Sequence, residues 1–163
     1  MSAILLKPIG FVETNSSGDE VPNNANISKI VLNRDLEQAL NGVESFSHLF
    51  ILYWLHDLPK NTEERLKTHP RGRKDMPLLG IFATRTPYRP NPIGLTLVEL
   101  LKVNGCTLTV HGLDAFDGTP ILDIKPYDKW DVPENSRMPE WWWRLEQERR
   151  EHCERARTHH FLG

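Results

Sequence analysis

Two short stretches of this chain concentrate side chains able to do chemistry. The first, Gly80 to Gly94, reads GIFATRTPYRPNPIG and sets Arg85, Arg89 and Asn91 among Pro87, Pro90 and Pro92. Each proline fixes its own φ and biases the residue before it, here Thr86, Arg89 and Asn91, toward extended backbone. The arginines and the asparagine are therefore carried on a stiff, non-helical support, ordered before a ligand arrives. A Pro-rich surface turn with solvated arginines is the plainer alternative. The second stretch, Asp114 to Tyr127, reads DAFDGTPILDIKPY. Asp117-Gly118-Thr119-Pro120 is a turn signal, with Gly118 free to take positive φ. Alternation beyond it puts Ile121, Asp123, Lys125 and Tyr127 on one strand face and Leu122 and Ile124 on the other. Carboxylates at Asp114, Asp117 and Asp123 can accept from hydroxyl or ammonium groups. A solvated, Asp-rich turn is again the plainer alternative.

These residues need a scaffold, and the patterning predicts a mainly β one. Short strands are expected over residues 9–12 and 27–32, and residues 49–55 are apolar enough for a buried strand or a buried helical turn. Their length and aromatic content favour the strand. Residues 34–40 read as a short helix, capped by Asn33, acidic at its start and closed by Asn41-Gly42. Residues 78–84 form a further strand. Residues 95–103 and 106–113 flank Asn104-Gly105, a strong hairpin signal. Strands at this spacing, joined by short turns, imply a small antiparallel β-barrel. Residues 57–77 form a long connection rich in basic side chains, including Lys67, Arg71, Arg73 and Lys74. A C-terminal helix over about residues 137–158 is expected, with Pro139 in its first turn and Glu-to-Arg pairs such as Glu140–Arg144 and Glu146–Arg150. Its cluster Trp141, Trp142 and Trp143 suits packing against the barrel or a second subunit better than base stacking.

Length and charge set limits. A chain of 163 residues fits one domain, residues 1–163, with the barrel over about 4–130. A formal net charge of −2 does not announce a nucleic-acid binder, so any RNA contact must come from local basic patches. Cys106 and Cys153 lack C-x-x-C spacing, which argues for reduced thiols and against a zinc knuckle. No H-E-x-x-H spacing supports a metal. No G-x-G-x-x-G follows a strand, which argues against a Rossmann-type site. The N-terminus lacks a signal-peptide pattern and the longest apolar run is too short to span a bilayer. The chain reads as cytoplasmic.

Taken together, the two polar blocks resemble the TsaA-like (TrmO) family of methyltransferases. Family members carry G-x-F-A-T-R-x-P-x-R-P-N-P-I-G followed by D-x-x-D-G-T-P-x-x-D-I-K-P-Y at matching separation. Phe46-Ser47-His48-Leu49 with His56 resembles the family's F-S-H-L…H segment, and residues 7–12, KPIGFV, resemble its opening strand. The resemblance covers roughly residues 7–130. The chain has Pro22-Asn23-Asn24 where bacterial relatives have P-R-Q.

The resemblance implies a small β-barrel, a homodimer, S-adenosylmethionine as methyl donor, and tRNA as substrate. The methylated atom would be N6 of N6-threonylcarbamoyladenosine, next to the anticodon. Carried over by motif position, the donor site would use Pro22, Asn23, Asn24, His56, Asp57, Arg85, Leu95, Asp114, Ala115, Phe116 and Asp117. Arg85 suits the donor's carboxylate, Asp114 or Asp117 its ribose hydroxyls or ammonium, and Leu95 and Phe116 its adenine faces. The acceptor nitrogen is amide-like, so a base or charge stabiliser should help it lose its proton. Asp123, Lys125 and Tyr127 are the candidates. Arg89 and Asn91, with the basic Lys67, Arg71, Arg73 and Lys74, would meet the RNA. A same-fold methyltransferase acting on a small molecule or another RNA, and a non-catalytic ligand- or RNA-binding barrel, are the competing readings.

Overall fold

A computed structural model describes residues 3–15, 26–58 and 66–160, with side chains described to residue 151. The chain divides into two compact units. The first, residues 1–65 and 86–131, is a closed antiparallel barrel of six strands. Its strands are β1 (Gly10–Glu13), β2 (Ile27–Leu32), β3 (His48–Trp54), β6 (Ile93–Asn104), β7 (Thr107–His111) and β8 (Pro120–Pro126), in the order β1-β2-β7-β6-β3-β8. Closure leaves no unpaired sheet edge.

The uniformly apolar residues 49–55 resolve into a wall strand with two distinct faces. Along β3, Leu49, Ile51 and Tyr53 are buried while His48, Phe50, Leu52 and Trp54 stand on the outer face. Val12, Ile30, Leu49, Ile51, Val98, Leu108, Val110 and Ile121 fill the interior. Asn104-Gly105 makes the expected hairpin, with Gly105 at φ +55°. Register fixes direction. β3 ends, and β6 begins, at the Trp54–Ile93 pair. β1 ends beside the start of β2, and β2 starts at Ile27 opposite His111, where β7 ends. One end of the barrel therefore collects the segments that follow β1, β3 and β7 and that precede β2, β6 and β8.

Three expectations are corrected here. Residues 34–40 do turn, but as a tight 3-10 helix, and the Asn33 side chain does not cap it. Asn33 Nδ2 instead donates to the Pro8 carbonyl at 3.2 Å, tying the turn to the approach of β1. In β8 a bulge opposite Leu52/Tyr53 shifts the register, so Ile121 pairs with Tyr53 and is fully buried, whereas Asp123 pairs with outward-facing Leu52. The extra residue breaks strict alternation and separates Ile121 from the face that carries Asp123 and Lys125. Third, residues 78–84 are not one strand. Only Leu79–Gly80 pairs, as β5, with β4 (Lys67–Thr68). The chain then turns through Ile81–Ala83, where Thr84 satisfies the Ile81 carbonyl with both its N–H at 3.1 Å and its hydroxyl at 2.9 Å. Such a local bond competes with a strand ladder.

The second unit, residues 66–85 and 132–163, holds the β4–β5 pair and the helix α1 (Glu140–His160). The Trp142 N–H donates to the Pro139 carbonyl at 3.0 Å, so Pro139 stands at the helix entrance as its chemistry suggests. Glu146 accepts from Arg149 and Arg150, both at 2.9 Å. The expected Glu140–Arg144 pair is replaced: Arg144 reaches Asp75 at 2.7 Å and Glu148 at 3.5 Å. No helix among the described residues is long and apolar enough to cross a membrane.

Candidate functional site

The barrel end defined above is where the polar blocks arrive. The chain leaves β3 through Leu55 and runs into His56 and Asp57, both exposed. The Leu55 N–H donates to the Pro92 carbonyl at 2.8 Å, and the Ile93 N–H to the Asn91 carbonyl at 2.8 Å. The proline-stiffened segment is thus sewn to the end of β3, which brings Asn91 and its neighbour Arg89 beside His56 and Asp57. Arg89 Nη1 donates to the Thr86 carbonyl at 3.2 Å, so the guanidinium braces its own loop.

The loop Asp114 to Gly118 leaves β7 at the same end and is fastened at both sides. On the far side, Asp117 Oδ1 accepts from the Thr14 N–H at 3.0 Å and the Gly118 N–H donates to the Val12 carbonyl at 2.8 Å. Gly118 takes φ +72°, a conformation that a side chain would strain. On the near side, the Asp114 carbonyl accepts from the hydroxyl of Tyr53 at 2.6 Å. Between these points Ala115 is buried and holds the loop down, while Asp114 and Phe116 expose their side chains. Partial burial pushes the Asp114 carboxyl up from its ordinary range, because desolvation disfavours its charge. One oxygen of Asp117 is committed to the chain itself.

The barrel end therefore gathers His56, Asp57, Arg89, Asn91, Asp114, Ala115, Phe116 and Asp117. Other residues singled out in the sequence go elsewhere. Leu95 pairs with Leu52 on the outer face of the wall, whereas Tyr53 and its partner Gly94 face inward. β8 runs away from the loops: Asp123 is level with Leu52, Lys125 with Phe50, and the Tyr127 N–H donates to the His48 carbonyl where β3 begins. At about 3.3 Å per residue, Tyr127 stands roughly 20 Å beyond the start of β8. Lys125 Nζ pairs with Asp123 at 2.7 Å on the outer wall. Tyr127 packs edge-on to Phe50 with ring centroids 5.5 Å apart. The geometry does not bring Lys125 and Tyr127 to the loop end. Pro22, Asn23 and Asn24 lie outside the described residues.

Arg85 belongs to the second unit, where it is exposed. So do Lys67, Arg71, Arg73 and Lys74. Lys67, Arg71 and Lys74 are exposed, and Arg71 holds a left-handed φ of 53°. Arg73 is different. It pairs with Asp75 at 2.6 Å and with Glu148 of α1, and these hydrogen bonds raise its pKa further. Its charge is paired within the unit. Sequence reasoning had also missed Tyr53, the near anchor of the Asp114 loop. Its only signal was a hydroxyl at an inward position of an apolar strand.

The chemistry of the gathered set matches that of S-adenosylmethionine. Arginine and asparagine suit a carboxylate, aspartates an ammonium and a ribose diol, and Phe116 an adenine face. A family model, the tRNA-methyltransferase O N-terminal domain, matches residues 16–131. The chain belongs to this family. It is 43% identical over 129 residues to a protein of Methanothermobacter thermautotrophicus named a probable S-adenosyl-L-methionine-binding protein, covering 76% of this chain and 90% of that one. It is 36% identical over 148 residues to the human tRNA (adenine(37)-N6)-methyltransferase, covering 83% of this chain and 33% of that enzyme. The crystal structure of TrmO from Pseudomonas aeruginosa superposes with a TM-score of 0.67 at 29% identity, over 83% of this chain and 62% of that one. The present chain thus spans about a third of the human enzyme and under two thirds of the bacterial one.

Proposed function

We propose that the protein is an S-adenosylmethionine-dependent tRNA methyltransferase that methylates N6 of the adenosine next to the anticodon, in its N6-threonylcarbamoyl form. The observation that carries this reading is the meeting, at one barrel end, of the Arg89–Asn91 part of the first family block with the Asp114–Asp117 part of the second. The donor supplies a methyl group on a positively charged sulfur. The chain's part is to bind and orient. Arg89 is the barrel unit's candidate for the donor's carboxylate. Asp57, Asp114 and the uncommitted oxygen of Asp117 accept from its ammonium and hydroxyls. Phe116 offers an apolar face. Asp114, whose carboxyl partial desolvation pushes up from its ordinary range, is a candidate to take a proton there. Holding donor and acceptor in line supplies much of the acceleration in a displacement of this kind.

Exposed Lys67, Arg71 and Lys74 are the RNA contacts in this reading. We also read the protein as cytoplasmic and homodimeric. The outer wall carries the cross-strand rows Phe50–Leu97, Leu52–Leu95 and Trp54–Ile93, an apolar strip that a second copy would cover. Sedimentation equilibrium at micromolar concentration tests the dimer.

The deciding experiment mixes purified protein, labelled donor, and tRNA with or without the threonylcarbamoyl group. Nucleoside mass spectrometry should find the new methyl only on the modified tRNA. Equal labelling of both would make the threonylcarbamoyl group irrelevant. Labelling of neither, with donor binding intact by calorimetry, would move the acceptor to a small molecule or another RNA. Absence of donor binding would leave a non-catalytic barrel.

A further inference from the structure

We propose that Tyr53 is a positioning residue for the donor loop, acting through its hydroxyl on the Asp114 carbonyl. The inference rests on the donor-site reading above. Tyr53 occupies an inward position of β3 and is 4% exposed, so its ring is core. Packing alone would be served by phenylalanine. A buried hydroxyl must be hydrogen-bonded or it costs stability, so what it bonds to explains why it is there. Its partners include the Asp114 carbonyl at 2.6 Å and Thr96 Oγ1 at 3.1 Å. A carbonyl can only accept, so the single phenolic hydrogen goes to Asp114. Thr96 must then donate to Tyr53. The result is a directed chain, Thr96 to Tyr53 to Asp114, running from the β6 wall into the first residue of the loop.

The ring reaches this place because position 94 has no side chain. A Cβ built on Gly94 would fall within the Tyr53 ring. The last glycine of the proline-rich block and the tyrosine of β3 are thus complementary parts of one support. The far end of the loop is held by Thr14 and Val12, as described. With both ends fixed, Asp114 and Phe116 are presented between them at a set height above the barrel. Release of the near end would let Asp114 and Phe116 wander while leaving the barrel ladder intact.

Tyr53→Phe isolates the hydroxyl, since the ring stays. Calorimetric titration of wild type and Y53F with S-adenosylmethionine, well below either melting temperature, should show the dissociation constant rising about five- to tenfold, the scale of one lost hydrogen bond. Amide hydrogen exchange without ligand should speed up at residues 114–118 and stay unchanged in β3 and β6. A merely structural tyrosine would lower the melting temperature but leave affinity and loop exchange as in wild type, and that result would overturn the proposal. If wild type itself fails to bind the donor, the donor-site reading falls and takes this proposal with it. If wild type binds and Y53F binds equally well, only the role of Tyr53 falls.

Discussion

Gly94→Ala provides a sharp test of how the loop support is built. The strand position is ordinary for any residue, because Gly94 has no positive φ. The added methyl group instead meets the Tyr53 ring, which it would overlap. The ring cannot swing out, being 4% exposed and bonded at its hydroxyl. Overpacking of this kind costs about 1–3 kcal/mol. A displaced ring also loses its bond to the Asp114 carbonyl, about 1 kcal/mol more. The expected loss is therefore about 2–4 kcal/mol, or roughly 5–15 °C in melting temperature for a chain of this size.

Urea unfolding followed by tryptophan fluorescence measures it directly. The decisive comparison is a double-mutant cycle with Tyr53→Ala, in which the space is empty and Gly94→Ala should cost under about 0.5 kcal/mol. An equal cost in both backgrounds would refute the steric argument and point to the backbone of β6 itself. A cost near zero in the native background would mean that the ring has room to move.

Other expectations follow from the same geometry. Gly10→Ala should destabilise at least as much as Gly94→Ala, because its Cβ would strike the Val31 carbonyl and Leu32 of β2, backbone that has no rotamer to yield; thermal unfolding reads this. Asp75 and Glu146 are held at about 2 by their arginine partners, below the ordinary carboxylate range. Because these folded-state values are depressed, the stability they contribute is present above about pH 4.5 and is lost as pH falls toward 2. A D75N/E146Q variant should flatten the acid limb of a stability-against-pH curve, and an unchanged limb would place the acid sensitivity elsewhere. Removing Lys67, Arg71 and Lys74 together should reduce the salt dependence of tRNA binding without changing donor affinity. Arg73→Ala should instead lower the melting temperature; if it acts on tRNA binding alone, its pairing with Asp75 and Glu148 is not what occupies it.

The legible part of this molecule was what repeats locally. Asn-Gly gave the β6–β7 hairpin, because turn stereochemistry is a property of neighbouring residues, whereas the inward and outward faces of uniformly apolar β3 appear only in the barrel. The bulge in β8 was not legible. Ile121-Leu122-Asp123 reads as clean alternation, and only the demand that Ile121 meet both Gly10 and Tyr53 inside the barrel forces the extra residue outward. That same misreading had put Ile121 on the face of Asp123 and Lys125, which do share the outer wall while Ile121 points inward. The 3-10 turn after β5 escaped for a related reason: residues 78–84 have strand-forming side chains but a ladder partner for only Leu79–Gly80.

Candidate residues were legible by type and illegible by distance. Arg89, Asn91, Asp114 and Asp117 stood out as polar groups on stiff or turning backbone, and the barrel end gathers them. Tyr53 did not stand out, because its partners lie 43 and 61 residues away and nothing local distinguishes it from the other apolar positions of β3. Arg73 shows the opposite case, since a basic run gives no hint that one member is paired with Asp75 and with Glu148, 75 residues on. The pattern has a physical basis. In a closed barrel every strand hydrogen bond is internal, so the ladder fixes which connections share an end but leaves each connection free in height and direction. Setting that height requires a tie from the wall to the loop. In this chain β1 ties the far side of the loop, and the near-side tie is a buried hydroxyl, made possible by a glycine two residues before the threonine that completes it.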